Sequence, residues 1–104
     1  MGMGIGINSQ RPDEGQVRGR QSSVACYVWF TSRGEVMPKM IKFCDADGEI
    51  HTISHVHVIS SEQKNYCGIP TLEFYCSAEI SAVRYEFLLL YYTERQEWKL
   101  VWRA

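Results

Sequence analysis

The three histidines of this chain, His51, His55 and His57, all stand at odd positions of one β-rich segment. Side chains alternate across an extended strand, so residues of equal parity share a face, and the β-carbons of His55 and His57 would lie about 6 to 7 Å apart. Imidazoles at that spacing predict a metal site if a cysteine or carboxylate of a neighbouring strand completes the ligand set. The alternatives are a solvated or partner-facing polar face and a pH-sensitive contact, because no His-Glu-x-x-His or paired Cys-x-x-Cys motif accompanies the histidines.

Two other motifs suggest chemistry only at first sight. The Asp-Ala-Asp-Gly run at 45–48 imitates the start of a calcium loop, but the twelfth position, where an EF-hand needs a bidentate glutamate, is Val56. Cys67, beside Gly68, is the best-placed candidate for a nucleophilic thiol, yet the spacing identifies no base for it. With no acid and base pair at a spacing that suggests a reaction, we expect a protein that is not an enzyme and uses no cofactor.

Aromatic side chains are numerous enough to form a base-stacking surface for single-stranded nucleic acid. The candidate rings are Tyr27, Trp29, Tyr75, Tyr85, Tyr92, Trp98 and Trp102. Arg84, Lys99 and Arg103 would supply the phosphate contacts in that case. However, the formal net charge is −1 and no basic tract follows Ser22, so nucleic-acid binding is the weaker alternative. Most of these rings are needed in the core of so small a domain.

The segments that would position these residues all alternate with the period of a β-strand. The predicted strands are 23–31, 36–44, 49–60, 71–76, 83–92 and 98–102, with 61–70 as the longest loop. Pro38 marks a strand start, a bulge or an edge, and Asp47-Gly48 predicts a type I′ hairpin turn. We therefore expect an all-β fold, a small six-stranded antiparallel meander that curls into an SH3-like or partly open barrel. A flat meander that buries one face against a second subunit is the structural alternative.

Two stretches are similar to a family of small uncharacterised bacterial all-β proteins. The first stretch, over residues 37–53, contains a Pro-led strand rich in Lys and Ile, the Asp-Gly turn and a following Ile. The second, over residues 72–101, resembles a closing hairpin that ends in a Trp-containing strand. The resemblance implies a fold of the same kind and brings no activity, ligand or site residue with it.

The N-terminal residues 1–22 are rich in glycine and poor in core-forming side chains, which predicts a disordered arm or an expression remnant. The single folded domain is then 23–104. The chain has no signal peptide and no apolar run of membrane-spanning length, so we expect a cytoplasmic protein without a membrane segment. In that compartment the four cysteines would be reduced, small and buried, with two disulfides as the alternative. They are Cys26, Cys44, Cys67 and Cys76.

Apolar side chains exceed what one small core needs. The surplus lies opposite the faces that would fill the core and consists of Tyr27, Trp29, Leu88, Leu90 and Tyr92. An exposed apolar patch of this size is normally covered by a partner. The sequence therefore predicts a non-enzymatic module for protein interaction, a homodimer or a higher homo-oligomer. The alternative is a tightly curled barrel whose loops bury both faces unaided.

Overall fold

The structure, a computed structural model, describes residues 13–17 and 19–103, and all of their regular structure is β-strand. In chain order the strands are β1 (Ser22–Phe30), β2 (Val36–Cys44), β3 (Ile50–Ile53), β4 (His57–Tyr66), β5 (Ile69–Ile80), β6 (Val83–Tyr92) and β7 (Glu97–Arg103). They form one sheet of seven strands in the order β3-β2-β1-β7-β6-β5-β4, and every neighbouring pair is antiparallel. The all-β antiparallel prediction is confirmed. In the described part of the chain no helix has the length and apolar character needed to cross a membrane.

The prediction of six strands in up-and-down order is wrong at two places. The predicted strand 49–60 is interrupted by Ser54–Val56 and belongs to two strands, β3 and β4. The predicted loop 61–70 is the second half of β4, a tight turn at Cys67-Gly68 and the start of β5. The polar run that suggested a loop is explained by the position of β4 at one edge of the sheet, where Ser61, Glu62 and Gln63 are exposed.

The strand order forces the sheet to curl. β3 and β4 are the two outermost strands, yet only Ser54–Val56 separates them in the chain. In a flat sheet they would be six inter-strand spacings apart, about 29 Å, whereas such a short link spans at most about 14 Å. The sheet therefore closes partway on itself as a half-barrel, and the Val56 amide donates to the Lys39 carbonyl oxygen of β2 at 3.0 Å.

A bulge in β2 makes that contact possible. Tyr27 pairs with Met40, but the next residue, Val28, pairs with Pro38, so Lys39 is the extra residue on β2. A bulge of this kind bends its strand and re-aims the extra residue. Pro38 thus marks a bulge, one of the three positions that its sequence context allowed, and Lys39 directs its carbonyl to the β3–β4 link.

The concave face of the half-barrel carries the larger apolar core. Its buried members are Ile41, Ile53, Phe74, Cys76, Ala78, Phe87, Leu89, Tyr91, Trp98 and Leu100. The rings of Tyr91 and Trp98 stack with their centroids 4.7 Å apart, and the ring centroids of Phe74 and Trp98 are 5.8 Å apart. These residues come from both halves of the sheet, so this core joins the half that contains β1 to β3 to the half that contains β4 to β7.

A second apolar cluster lies on the convex face, where the sequence predicted an interface. Its buried members are Tyr66, Leu88, Leu90, Tyr92 and Val101, with Val17, Ile69 and Tyr75 packed against them. Leu88, Leu90 and Tyr92, which were predicted to bind a partner, are therefore buried core residues of the single chain. The physical reason is that residues preceding β1 cover this face.

The covering segment, residues 13–21 without 18, makes defined contacts although it belongs to the predicted disordered arm. A β-carbon at Gly19, where φ is +93°, would come within 3.0 Å of Val101 Cγ1, which shows how closely the backbone approaches the sheet. The Tyr92 hydroxyl donates to Gln21 Oε1 at 2.6 Å. Residues 1–12, the remainder of the arm, lie outside the described residues.

Asp13 holds the start of this segment to the β4–β5 turn. Its carboxylate accepts the amides of Gly15 at 2.6 Å and Cys67 at 3.1 Å, and also that of Gly68. The amide hydrogen bonds from Gly15 and Gly68 lower the pKa of Asp13 from its usual 3.8. Since the folded pKa lies below the unfolded value, this stabilisation is present above pH 3.8 and is lost as the pH falls through the lowered value.

We therefore expect the amide chemical shifts of Cys67 and Gly68 to titrate in acid with a midpoint below 3.8. The transition should be absent from Asp13→Asn, because an amide side chain carries no negative charge to lose. Asp47→Asn, a change in an exposed turn, is the matched control and should leave the transition intact. A midpoint above 3.8 would contradict the assignment of these amides to the Asp13 carboxylate.

The hairpin turn at Asp45–Glu49 differs from the predicted type I′ turn. Gly48 has φ +85°, but Asp47 is not among the residues with positive φ, as a type I′ turn would require. Gly48 donates its amide to the Asp45 carbonyl at 3.1 Å, and the Asp45 amide donates to the Glu49 carbonyl at 2.9 Å. This is a type I turn followed by a left-handed glycine, the usual form of a three-residue hairpin loop.

The β5–β6 turn is strained, because Ser81 and Ala82 have φ of 52° and 65° and neither is glycine. A left-handed conformation costs an ordinary residue about 1 to 2 kcal/mol. We expect Ala82→Gly to raise the free energy of unfolding by about 1 kcal/mol, measured as a higher urea midpoint at unchanged slope. Ala46→Gly, in the turn before β3, lacks this strain and should lower the midpoint slightly. Equal effects of the two substitutions would contradict the strain assignment.

Candidate functional site

The structure separates the three predicted metal ligands. His51 lies on β3, where its ring stacks on Phe43 with centroids 5.4 Å apart, whereas His55 lies in the β3–β4 link. His57 opens β4 opposite Ser77, and it lines the same cleft as His55. The prediction assumed that all three histidines lie on one regular strand and therefore share a face. The break at Ser54–Val56 divides them between two strands and a link, so they need not share a face. His51 is therefore on a different part of the surface from the other two histidines.

His51 instead belongs to a small acidic group at the hairpin turn. Within residues 13–17 and 19–103, Asp45, Glu49 and His51 form the single group of potential ligands whose atoms lie within 4.8 Å of one another. Asp45 Oδ2 lies 2.7 Å from His51 Nε2, and Asp45 Oδ1 accepts the amides of Asp47 and Glu49, each at 2.9 Å. The hydrogen bond from His51, followed by that from the Glu49 amide, lowers the pKa of Asp45. These contacts close the turn and account for the group without a metal.

The four cysteines fall into two pairs, and all are free thiols. Cys76 is buried and Cys26 half-buried on the concave face, and desolvation raises the pKa of each to about 12. Both stay protonated at neutral pH, as expected of small core residues. Cys44 and Cys67 are exposed, so the expectation that all four are buried does not hold for them. Cys67, the candidate nucleophile, occupies the tight turn before β5 with φ 51°.

The residues proposed for nucleic-acid binding do not form one basic surface. Arg84 lies 3.3 Å from Glu86 in an ion pair, and Arg103 is the cross-strand neighbour of the same glutamate. Lys99 donates to Ser23 Oγ at 2.8 Å, further along β7. Of the candidate rings, Tyr92 and Trp98 are buried in different cores. Tyr85 and Trp102 stay 41% and 40% exposed with their centroids 6.0 Å apart, whereas the side chains of Arg84 and Lys99 are engaged by Glu86 and Ser23.

Tyr27 and Trp29 are the members of the predicted interface that stay at the surface. Each is 56% exposed on the convex side of β1. The Lys39 ammonium lies 5.3 Å from the centre of the Trp29 ring, within the range of a cation–π interaction. Tyr27 and Trp29 lie on β1, whereas Leu88, Leu90 and Tyr92 lie on β6. Because β7 lies between these two strands in the sheet, the five residues do not form the predicted patch.

A groove of about 690 Å³ lies between β2 and β4. It exists because β3 has only four residues and pairs with Ile41–Cys44, so that none of the described strands covers the first half of β2 on that side. On the other side, β4 pairs with β5 alone among the named strands. Apolar side chains form the floor of the groove, and they are Val36, Pro38, Val56, Val58, Leu72 and Phe74. Charged and polar side chains form its rim, and they are Glu35, Lys39, Glu62 and Gln63.

The open edge of β4 presents backbone hydrogen-bonding groups to this groove. The Asn65 carbonyl accepts the Glu14 amide at 2.7 Å, so the backbone groups of Asn65 point away from β5. Bonded and non-bonded pairs alternate along an antiparallel ladder, and Gln63 and Ser61 therefore point outward as well. Within the described part of the chain, neither of these two residues has a strand partner on that side.

The facing edge of β2 has the same character. The Thr31 amide donates to the Glu35 carbonyl at 2.9 Å, so Thr31 and Glu35 are a hydrogen-bonded pair, and this identifies which of the following β1–β2 pairs are hydrogen-bonded. By alternation, the backbone groups of Val36 and Pro38 point away from β1 and into the groove. Pro38 has no amide hydrogen to offer, and its place on an open edge spares the β1–β2 ladder a lost bond.

The groove was missed by sequence reasoning, which assigned 61–70 to a loop and continued 49–60 as one strand. The signals that pointed toward it were Pro38, which allowed an edge, and the unequal lengths of the β-rich runs before and after the Asp-Gly turn. Comparison of the chain with protein-family models, with curated proteins and with solved structures finds no match.

Proposed function

We propose that this protein is a non-enzymatic interaction module that binds an extended segment of a partner polypeptide by strand addition between β2 and β4. The observation that supports the proposal is a pair of strand edges that face each other across one groove and have no strand partner there among the described residues. Unpaired amides and carbonyls on a strand edge are a template for another strand. A segment in this groove gains main-chain hydrogen bonds, and each bond to Ser61, Gln63 or Val36 helps to close the barrel.

The groove also favours a particular side-chain pattern in the partner. Successive residues of an added strand face opposite sides, so every second side chain meets the floor at Val58, Leu72 and Phe74. Those positions favour medium-sized apolar residues, and the positions between them face solvent and tolerate polar ones. A volume of 690 Å³ lies within the range of about 300 to 1,000 Å³ that is usual for binding sites.

Selection from a random dodecapeptide library on the immobilised full chain tests this function. We expect enrichment of sequences with apolar residues at alternate positions. Ser61→Arg, which places a long charged side chain in the groove, should weaken binding of the selected peptides at least tenfold. Ser60→Arg is the matched control, because the adjacent exposed serine faces the other side of β4. Peptides that bind both variants equally, or no enrichment, would refute the proposal.

Self-association is a separate proposal, and the exposed rings of Tyr27 and Trp29 support it. Sedimentation velocity over a range of concentrations measures it directly. We expect Trp29→Ala to weaken any dimer and to leave the fold unchanged, since the ring is 56% exposed. A wild-type chain that stays monomeric at high micromolar concentration would end this proposal and leave strand addition untouched.

A further inference from the structure

We propose that the partner segment carries a lysine or arginine between two of its apolar residues, and that this cation lies between Glu35, which precedes β2, and Glu62 of β4. The inference rests on the proposed function, because it names the chemical class of segment that the groove takes. It is carried by the distribution of charge along the groove, by the side of the sheet on which both glutamates lie and by an uncovered ring at the same end.

The two ends of the groove carry different charges. One end is closed, because the Val56 amide donates to the Lys39 carbonyl there at 3.0 Å, and the two basic residues of the lining, Lys39 and His57, lie at this end. The two acidic residues, Glu35 and Glu62, line the other end, which is open. Glu35 is four residues from Lys39, about 13 Å along an extended strand. An occupant of the groove therefore meets carboxylates at the open end.

Neither carboxylate is neutralised by a close cation within the described part of the chain. Glu35 is exposed, and its side chain contacts the Thr31 hydroxyl at 3.5 Å. The Glu62 side chain is 60% exposed, and its Oε1 atom lies 3.8 Å from Lys64 Nζ. That ammonium is closer to Glu73, at 3.1 Å. Because a long, exposed ion pair contributes little, both glutamates can take a cation from a partner.

The two glutamates lie on the same side of the sheet, the convex one. Glu35 is opposite Thr31, whose amide it binds, and Thr31 is two residues from Trp29 on that side. Glu62 is four residues from Tyr66 in the regular part of β4, and Tyr66 belongs to the convex cluster. The carboxylates thus flank the groove from its two walls and on one face.

A strand added between these walls directs every second side chain to the convex side. Residues opposite each other on neighbouring strands have β-carbons about 4.5 to 5.5 Å apart, so one outward position meets Glu35 on one wall and Glu62 on the other. A lysine or arginine at this position gains two carboxylates, whereas an acidic residue is repelled by both.

The residues on either side of this cation face inward, where apolar surface is uncovered. Phe30 is opposite Val36, and its ring stays 60% exposed although it lies 6.3 Å from the ring of Tyr91. Val36 and Leu72 are half-buried in the floor of the groove at the same end. Burial of this surface stabilises a complex with apolar residues at both inward positions. The open end of the groove therefore favours the order apolar, basic, apolar.

Parallel selections from the dodecapeptide library, on immobilised full chains at low ionic strength, test the proposal. The wild type should enrich peptides in which Lys or Arg stands between apolar residues. The double variant Glu35→Gln, Glu62→Gln should enrich the same apolar alternation without the basic residue, because the amides keep the shape of both side chains and remove their charge. The matched control, Glu79→Gln with Glu94→Gln, changes the net charge equally at exposed glutamates outside the groove and should select like the wild type.

The affinities of one selected peptide measure the contact. We expect the basic peptide to bind the Glu35→Gln, Glu62→Gln variant about fivefold or more weakly than it binds the wild type, because two opposite-charge pairs across strands are lost. Added salt should reduce this difference, and exchange of the basic residue for norleucine in the peptide should remove it.

The outcomes separate this inference from the proposed function. Alternating apolar peptides without a basic residue, or affinities that the two glutamine substitutions leave unchanged, overturn the inference and leave strand addition intact. Basic peptides that all three chains enrich equally assign the cation to another acidic surface and also overturn it. If none of the three chains enriches alternating apolar peptides, the proposed function is refuted and this inference with it.

Discussion

Leu90→Asp is expected to unfold the protein, although the residue was predicted from the sequence to be a surface contact. Leu90 has no exposed area and lies in the convex cluster beneath the segment that precedes β1. A carboxylate at this site loses its hydration without gaining a partner, which costs several kcal/mol. Small domains are stable by only about 5 to 15 kcal/mol in total, so the variant should lose its cooperative urea transition.

Leu90→Ala gives the same test in a form that can be quantified. We expect it to lower the free energy of unfolding by about 2 to 5 kcal/mol, as leucine truncations in a close-packed core do. The control is Tyr27→Ala, at a ring that is 56% exposed on the same side of the sheet, with an expected change within about 0.5 kcal/mol. Urea titration followed by far-ultraviolet circular dichroism measures both variants. A loss below about 1 kcal/mol for Leu90→Ala would mean that the convex face is not sealed in the single chain.

Gln63→Pro is expected to weaken peptide binding in the groove at least tenfold while leaving the fold intact. The Gln63 amide points away from β5, so proline removes a donor from the open edge and none from the β4–β5 ladder. A strand added to this edge loses one hydrogen bond and meets the proline ring, and we expect at least a tenfold weaker affinity for a library-selected peptide. Gln63→Ala keeps the amide and should bind like the wild type.

The neighbouring position supplies the control for this substitution. Lys64 is the cross-strand partner of Thr71, and its amide belongs to the ladder with β5. Lys64→Pro should therefore destabilise the fold itself, by about 3 kcal/mol or more, in addition to losing the contact of the lysine with Glu73 at 3.1 Å. If Gln63→Pro and Gln63→Ala bind the peptide equally well, the backbone edge takes no part in recognition.

The all-β class could be predicted because a strand with one buried face has apolar residues at every second position, and this alternation is visible in the sequence. In β6 the apolar alternation through Phe87 and Leu89 marked the strand, and both residues are fully buried in the concave core. The Asp-Gly turn was also placed correctly, although its type was not. Turn type depends on the φ of the residue before Gly48, which composition alone leaves open.

The candidate site was harder to predict, because it depends on where the hydrogen-bonded pairing between neighbouring strands stops and not on the types of residue in those strands. In β4 the run Ser61–Asn65 is polar since one side of that strand meets solvent, and the same composition is typical of a loop. The strand break at Ser54–Val56 carries no glycine or proline that would announce it, yet it changed the face of His57 relative to His51. The covering of Leu90 by the segment before β1 was not predictable either. The backbone of this segment comes close to the sheet at Gly19, which requires glycine, but a glycine-rich composition is also typical of a flexible linker.

The central claim is that an extended segment adds to the edge of β4, and intermolecular nuclear Overhauser effects test it most directly. The measurement uses the full chain, labelled with nitrogen-15, and an unlabelled library-selected peptide. The account predicts cross-peaks from peptide α-protons to the amide protons of Ser61 and Gln63. Cross-peaks to the rings of Tyr27 and Trp29, with none to the β4 amides, would contradict it.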